Sequence, residues 1–279
     1  MKKYLLSLLA LFMIFSLAAC SSESSSNAKK EGKSEEESAG SKEAAKVLTK
    51  DEFYKMFSDP KKYKRSKVEF YAKIFIEPEK DEDGTYLQAY ADNNMDRNII
   101  IAIADPNLDV KTDDIIFVSG VVKDVFKGEN ALGGTVTAPV ITADKIELSD
   151  YATAFAPALK TVEVNKDINQ HGYVLHLGKI EIAESETRLH VSITNNSDRN
   201  ISFYSFNSKI VSGNQQLETQ DNYDAGYTEV QSEILPGVKS EGIVVFPKVP
   251  ETGTLKIMFE GSSEKYELDF QPFQFDVTY

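Results

Sequence analysis

From residue 66 onward, apolar and polar side chains alternate in short runs separated by turn residues, the period of half-buried β-strands. In residues 68–76, Val68, Phe70, Ala72, Ile74 and Ile76 take one face, and Glu69, Tyr71, Lys73 and Phe75 the other. Asp81-Glu82-Asp83-Gly84 predicts a turn. Residues 85–91 then form a second strand, with Tyr86, Gln88 and Tyr90 on one face and Leu87, Ala89 and Ala91 on the other. Residues 98–104 (apolar on both faces), 115–126 and 140–148 predict three more, and Gly120 places a bend in the fourth. Ahead of these strands, helical spacing puts Phe53, Met56 and Phe57 on one side. Thr49 and Glu52 stand in capping-box positions, and Asp59-Pro60 ends the helix. Five strands with one strong bend predict a small closed barrel over residues 47–151.

After a connection of small residues at 151–159, strand patterns return at 173–182, 188–194, 201–211, 242–246, 254–259 and 273–277. Leu189, Val191 and Ile193 point inward, so His190 falls on the opposite, solvent-facing side. Asn195-Asn196-Ser197-Asp198 is a turn. Short strands with turn signals at this spacing predict an antiparallel sandwich over 160–279, and the fold class is mostly β.

The N-terminus departs from this pattern. Lys2 and Lys3 precede a sixteen-residue apolar run at 4–19. That is short of the about 20 residues a spanning helix needs, and it fits the charged and apolar regions of a signal peptide over 1–19. The run closes on Leu17-Ala18-Ala19-Cys20. This resembles the bacterial lipobox, in which a peptidase cleaves before the cysteine. The resemblance implies that Cys20 becomes a diacylglyceryl-modified, N-acylated N-terminus on the outer face of the cell membrane. Thiolate nucleophilicity explains why a cysteine must stand there. Two acyl chains hold far longer than one, because each buried methylene contributes about 0.8 kcal/mol. Residues 21–46 contain Ser, Glu, Lys, Gly, Ala and Asn only, too little apolar surface to offset the entropy of ordering. With lipidated Cys20 they form a disordered tether, averaging roughly 25–30 Å end to end as a flexible coil.

Charge narrows the partners. The net charge is −13, or −15 once the first nineteen residues are set aside. Such a balance argues against nucleic acid and against flat adsorption to anionic lipid, since both need basic residues. Cys20 is the one cysteine, so the fold has no intramolecular disulfide and no thiolate zinc site.

Two segments resemble known families. Ser58-Asp59-Pro60-Lys61-Lys62-Tyr63 and Val118-Ser119-Gly120-Val121-Val122 resemble OB-fold domains of Gram-positive surface lipoproteins, which are related in pattern to the anticodon-binding-like OB group. Leu235-Pro236-Gly237-Val238-Lys239-Ser240-Glu241-Gly242-Ile243-Val244-Val245-Phe246-Pro247 resembles their telokin-like, immunoglobulin-like domain. The first resemblance implies a ligand face on the second and third strands, here Tyr86, Gln88 and Tyr90, with aromatics as stacking surfaces. The plainer alternative has these tyrosines packing at a barrel rim with their hydroxyls in water. The second resemblance implies a fold and no site.

Catalytic patterns are lacking. His171, His176 and His190 do not form a zinc-protease motif, and the chain has no nucleophile elbow and no phosphate-cradling glycine loop. Asp92-Asn93-Asn94-Met95-Asp96 begins like a calcium loop but meets Arg97 and Ile103 where glycine and glutamate are required. Asp105, Asn107 and Asp109 fail likewise. The expectation is a non-catalytic, membrane-anchored binding protein without cofactor or metal. Its partner would be an envelope protein, glycan or peptide. A hydrolase using paired carboxylates and a single-stranded nucleic-acid binder are the alternatives.

Overall fold

The computed structural model describes residues 46–129, 134–265 and 267–279. Leu17, Ala18, Ala19, Cys20 and nearly all of the tether lie outside the described residues. Helix α1 (Lys50–Ser58) opens with the expected reciprocal cap. The Glu52 amide donates to Thr49 Oγ1 at 3.4 Å, and the Thr49 amide donates to Glu52 Oε2 at 2.9 Å. Phe53 and Met56 are buried, and Phe53 stacks on Phe70 with ring centroids 4.9 Å apart. Asp59 caps the C-terminus, and Pro60–Tyr63 continues as one 3-10 turn.

Six strands follow: β1 (Lys67–Ile74), β2 (Glu79–Lys80), β3 (Thr85–Ala91), β4 (Asn98–Ile103), β5 (Ile115–Glu129) and β6 (Thr135–Ser149). They pair in the order β1-β5-β6-β4-β3-β2, and β3 also pairs with β1, which makes the sheet ring-like. The β4–β6 pairing is parallel and the others are antiparallel. Gly120 sits where β5 shifts register against β6. A Cβ there would lie 2.4 Å from the Thr142 carbonyl oxygen and 2.8 Å from Ala143 Cα. Only glycine allows the two backbones to approach so closely. Alternate residues Val68, Phe70, Ala72, Ile74, Leu87, Ala89, Ile99, Ile101, Val118 and Ile141 fill the interior. Strand β6 begins at Thr135 and not near residue 140, because it pairs with β5 out to Glu129.

Helix α2 (Tyr151–Ala154), capped by Asp150, leads into the second half. Its strands are β7 (Ala158–Gln170), β8 (Tyr173–Ala183), β9 (Glu186–Asn195), β10 (Ile201–Phe203), β11 (Lys209–Ser212), β12 (Gln215–Glu218), β13 (Glu233–Ile234), β14 (Lys239–Pro247), β15 (Thr254–Phe259), β16 (Gly261–Ser263) and β17 (Phe273–Thr278). Three antiparallel sheets result, ordered β14-β9-β8-β7, β12-β11-β15-β17 and β13-β10-β16. Leu175, Leu177, Leu189, Val191 and Ile193 share one core with Ile210, Leu255, Ile257, Phe259, Phe275 and Val277. Fully burying each such side chain contributes about 1.5–3 kcal/mol.

The expected strand at 201–211 is in fact β10, a 3-10 turn at Ser205–Asn207, and β11. The expected small-residue connection ends in a strand of its own, β7, in which Asn165 takes φ +48° and the register against β8 shifts. The Pro236-Gly237 turn forms as expected. Gly237 has φ +77°, and its amide donates to the Asn195 carbonyl at 2.7 Å. Among the described residues no helix is long and apolar enough to cross a membrane.

Candidate functional site

Strand β3 alternates strictly, with Leu87, Ala89 and Ala91 buried and Tyr86, Gln88 and Tyr90 outward, so the structure does bring the three expected residues onto one face. The β1–β3 pairing sets Lys73 opposite Tyr90. Beyond β1, Phe75 stacks on Tyr90 with centroids 4.1 Å apart and planes at 15°. Tyr86 is 38% exposed and its hydroxyl donates to Asp81 Oδ1 at 3.4 Å. Partial burial and the neighbouring Asp81 carboxylate raise the Tyr86 phenol above its ordinary pKa. Lys73 Nζ lies 3.6 Å from Asp113 and 4.0 Å from Asp224. The face therefore offers a fixed aromatic pair, an amide, a second exposed ring and one cation on a sheet whose inward side is fully packed. Phe75 was legible only as part of a mixed face. Its place against Tyr90 depends on strand pairing, which the sequence does not display.

A charged cluster lies on β8 and β9. Arg188 is 1% exposed. It donates to Glu181 Oε2 at 3.0 Å, Glu186 Oε1 at 2.8 Å, the Ala156 carbonyl at 2.8 Å and the Tyr227 hydroxyl at 3.3 Å. Buried Glu186 also accepts from Tyr227 at 2.5 Å and Asn222 at 2.8 Å. Lys179 bonds to Glu181, and His190 Nε2 lies 3.1 Å from Glu181 Oε2. His190 is therefore half-buried beside a carboxylate and not free in solvent as expected. Burial pushes the Glu181 carboxyl up. The bonds from Lys179 and Arg188, with the close His190 imidazole, outweigh that effect and hold it down at about 2. Burial and the bond to Glu186 raise the Tyr227 phenol. A general acid must hold a proton near neutral pH, and Glu181 does not. The cluster ties β8, β9 and the segment before β7 to the loop carrying Asn222 and Tyr227.

The same loop borders a groove of about 220 Å³ floored by Val244 and Val245. Phe206, 69% exposed, and Tyr223, 83% exposed, flank it. Neither carries a periodic signal in the sequence. Among the described residues no three His, Cys, Asp or Glu side chains come together to hold a metal ion. The two acidic loops close on themselves. The Asp96 amide donates to Asn94 Oδ1, and the Asn107 amide to Asp105 Oδ1, each at 2.9 Å.

The molecule is thus a mostly β protein with a ring-like sheet, several antiparallel sheets and two hydrophobic cores. No family model matches the chain. No curated protein matches it either. Among solved structures it is similar to a functionally unknown protein from Listeria monocytogenes EGD-e, at 8% identity and a TM-score of 0.34. The match covers 44% of this chain and 86% of that one.

Proposed function

We propose that the chain is a non-catalytic lipoprotein of Gram-positive type. In this reading it is held outside the cell membrane by acylated Cys20, and it carries an OB-like barrel and an immunoglobulin-like sandwich as a binding module. The anchor reading is supported by the apolar run at 4–19 that closes on Leu17-Ala18-Ala19-Cys20. The β1–β3 closure with a bent β5 supports the first fold name. Two four-stranded antiparallel sheets that share a core support the second.

The observation that carries the binding reading is the Phe75–Tyr90 stack beside Gln88 and exposed Tyr86. Flat rings next to a hydrogen-bonding amide suit a sugar ring or an extended peptide, with the amide fixing orientation. A wall glycan, a peptide or an envelope protein is the proposed partner. Aromatic anchors of this kind are each worth about 2 kcal/mol or more. Tyr86→Ala with Tyr90→Ala should therefore weaken capture from native envelope by on the order of 1,000-fold. Equal recovery of the same partners by wild type and the double variant would discard this face.

The anchor has its own test. Cys20→Ser should leave the preprotein uncleaved and unlipidated, so that metabolic labelling with a fatty acid no longer marks it. Undiminished label on the variant would end the anchor reading.

A further inference from the structure

We infer that the folded part has a membrane-facing side, a basic face that docks on anionic phospholipid headgroups. The inference rests on the anchor reading above and adds an orientation to it. Residues 61–67 hold five basic side chains and no acid: Lys61, Lys62, Lys64, Arg65 and Lys67. All five are exposed. The chain as a whole carries −13, so this concentration is a local inversion of its charge. The fold enlarges it, because the β1–β5 register sets Lys67 opposite Val121, two residues from exposed Lys123. Lys64, Arg65 and Lys123 rim a depression of about 410 Å³, with Val121 and Val122 in its wall. Asp124 is the acid within this group, 3.0 Å from Lys64 Nζ, and Glu69 lies two residues beyond Lys67.

The backbone holds this face stiffly. Arg65 has φ +72°, a left-handed conformation that non-glycine residues seldom take. Two hydrogen bonds pin it to β5: the Arg65 amide to the Val122 carbonyl at 2.8 Å, and the Val122 amide to the Ser66 carbonyl at 3.0 Å.

Three observations select lipid as the occupant. The first is sign, since headgroup phosphates complement a basic face. The second is place. Val47 bridges Lys67, and the Leu48 amide donates to the Lys67 carbonyl at 2.9 Å, so the segment leading back to Cys20 leaves the fold beside this patch. The third is the depression itself, whose accessible lining of Val121 and Thr142 suits the glycerol and first methylenes of a lipid as its phosphate meets Lys64, Arg65 and Lys123. A nucleic acid would want an open ring for stacking. The ring in this run, Tyr63, is half-buried, with Lys62 Nζ 5.8 Å from its centroid.

The test uses the full lipidated chain on vesicles of phosphatidylcholine alone or with 30% phosphatidylglycerol. Lysine acetylation is read site by site by mass spectrometry. Lys61, Lys62, Lys67 and Lys123 should react roughly threefold or more slowly on the anionic vesicles, and 1 M salt should erase the difference by screening. Lys239 and Lys256, exposed in the second half, should react equally on both. The combined variant Lys61→Glu, Lys62→Glu and Lys123→Glu, with an unchanged circular dichroism spectrum, should lose the protection of Lys67. Equal reactivity on both vesicles, or protection that survives the charge reversals, would overturn the inference. So would protection produced only by adding soluble polyphosphate. A chain that floats with neither kind of vesicle would refute the anchor itself. A chain that floats with both and shows equal reactivity would refute only the orientation.

Discussion

Replacing Arg188 with methionine should lower the unfolding free energy by about 3–5 kcal/mol, seen as a lower urea midpoint with an unchanged slope. The guanidinium is 1% exposed and neutralises Glu186, whose side chain is 2% exposed, and Glu181, at 14%. Taking it away leaves a fully buried carboxylate with no opposite charge in contact, because Tyr227 and Asn222 donate hydrogen bonds but carry none. Lys179 remains to serve Glu181. A second substitution, Glu186→Gln, should therefore recover part of the loss, whereas the same change in wild type should cost stability. A midpoint that does not move would mean that the cluster is solvated and contributes little.

The cluster also predicts an acid limb to stability. The Glu181 carboxyl lies at about 2 in the folded protein, below its ordinary 4.5. A depressed folded value stabilises the protein above the unfolded pKa and is lost as pH falls from about 4.5 towards 2. Wild type should lose up to about 3 kcal/mol more over that window than Glu181→Gln does. Parallel pH profiles for the two proteins would count against the bonds drawn to Glu181.

Gly120→Val should cost about 3 kcal/mol or more, measured by chemical or thermal unfolding. A Cβ at 2.4 Å from the Thr142 carbonyl oxygen and 2.8 Å from Ala143 Cα meets backbone, which cannot swing aside as a side chain can. The bend of β5 would have to open, beside the register shifts that it makes against β6. Gly178, also in a strand, is the control, because a Cβ there meets nothing closer than 3.4 Å and Gly178→Ala should be tolerated. Equal costs at the two positions would show that the close approach at Gly120 is unimportant.

What could be read from the sequence follows a physical line. Strands β1, β3, β15 and β17 carry strict alternation, and α1 carries both halves of its cap, so local pattern and structure agree. Strand β7 was illegible because its period-two series Val162, Val164 and Ile168 is interrupted by Lys166, beside the bulge at Asn165. The early part of β6 was illegible because Pro139 lies inside it, where it pairs with Val125 but cannot donate a ladder bond. The outward face of β3 could be predicted from alternation alone, whereas Phe75 and Lys73 needed the pairing of β1 with β3, and the Glu181–Arg188–Glu186 cluster needed the register of the β8–β9 hairpin. Net charge works in a different way. It averages over the chain, and so concealed the basic run at 61–67.

The bulged strand β7 has a further use. It is an outer strand of its sheet, paired to β8 alone, and its exposed backbone would otherwise be a template for another chain. Asn165 kinks it, and Lys160, Glu163, Lys166 and Asp167 line it with charge. Copies of any chain that meet at high local concentration can fuse into fibres along bare borders. A border that is crooked and charged lets neighbours jostle without zipping together.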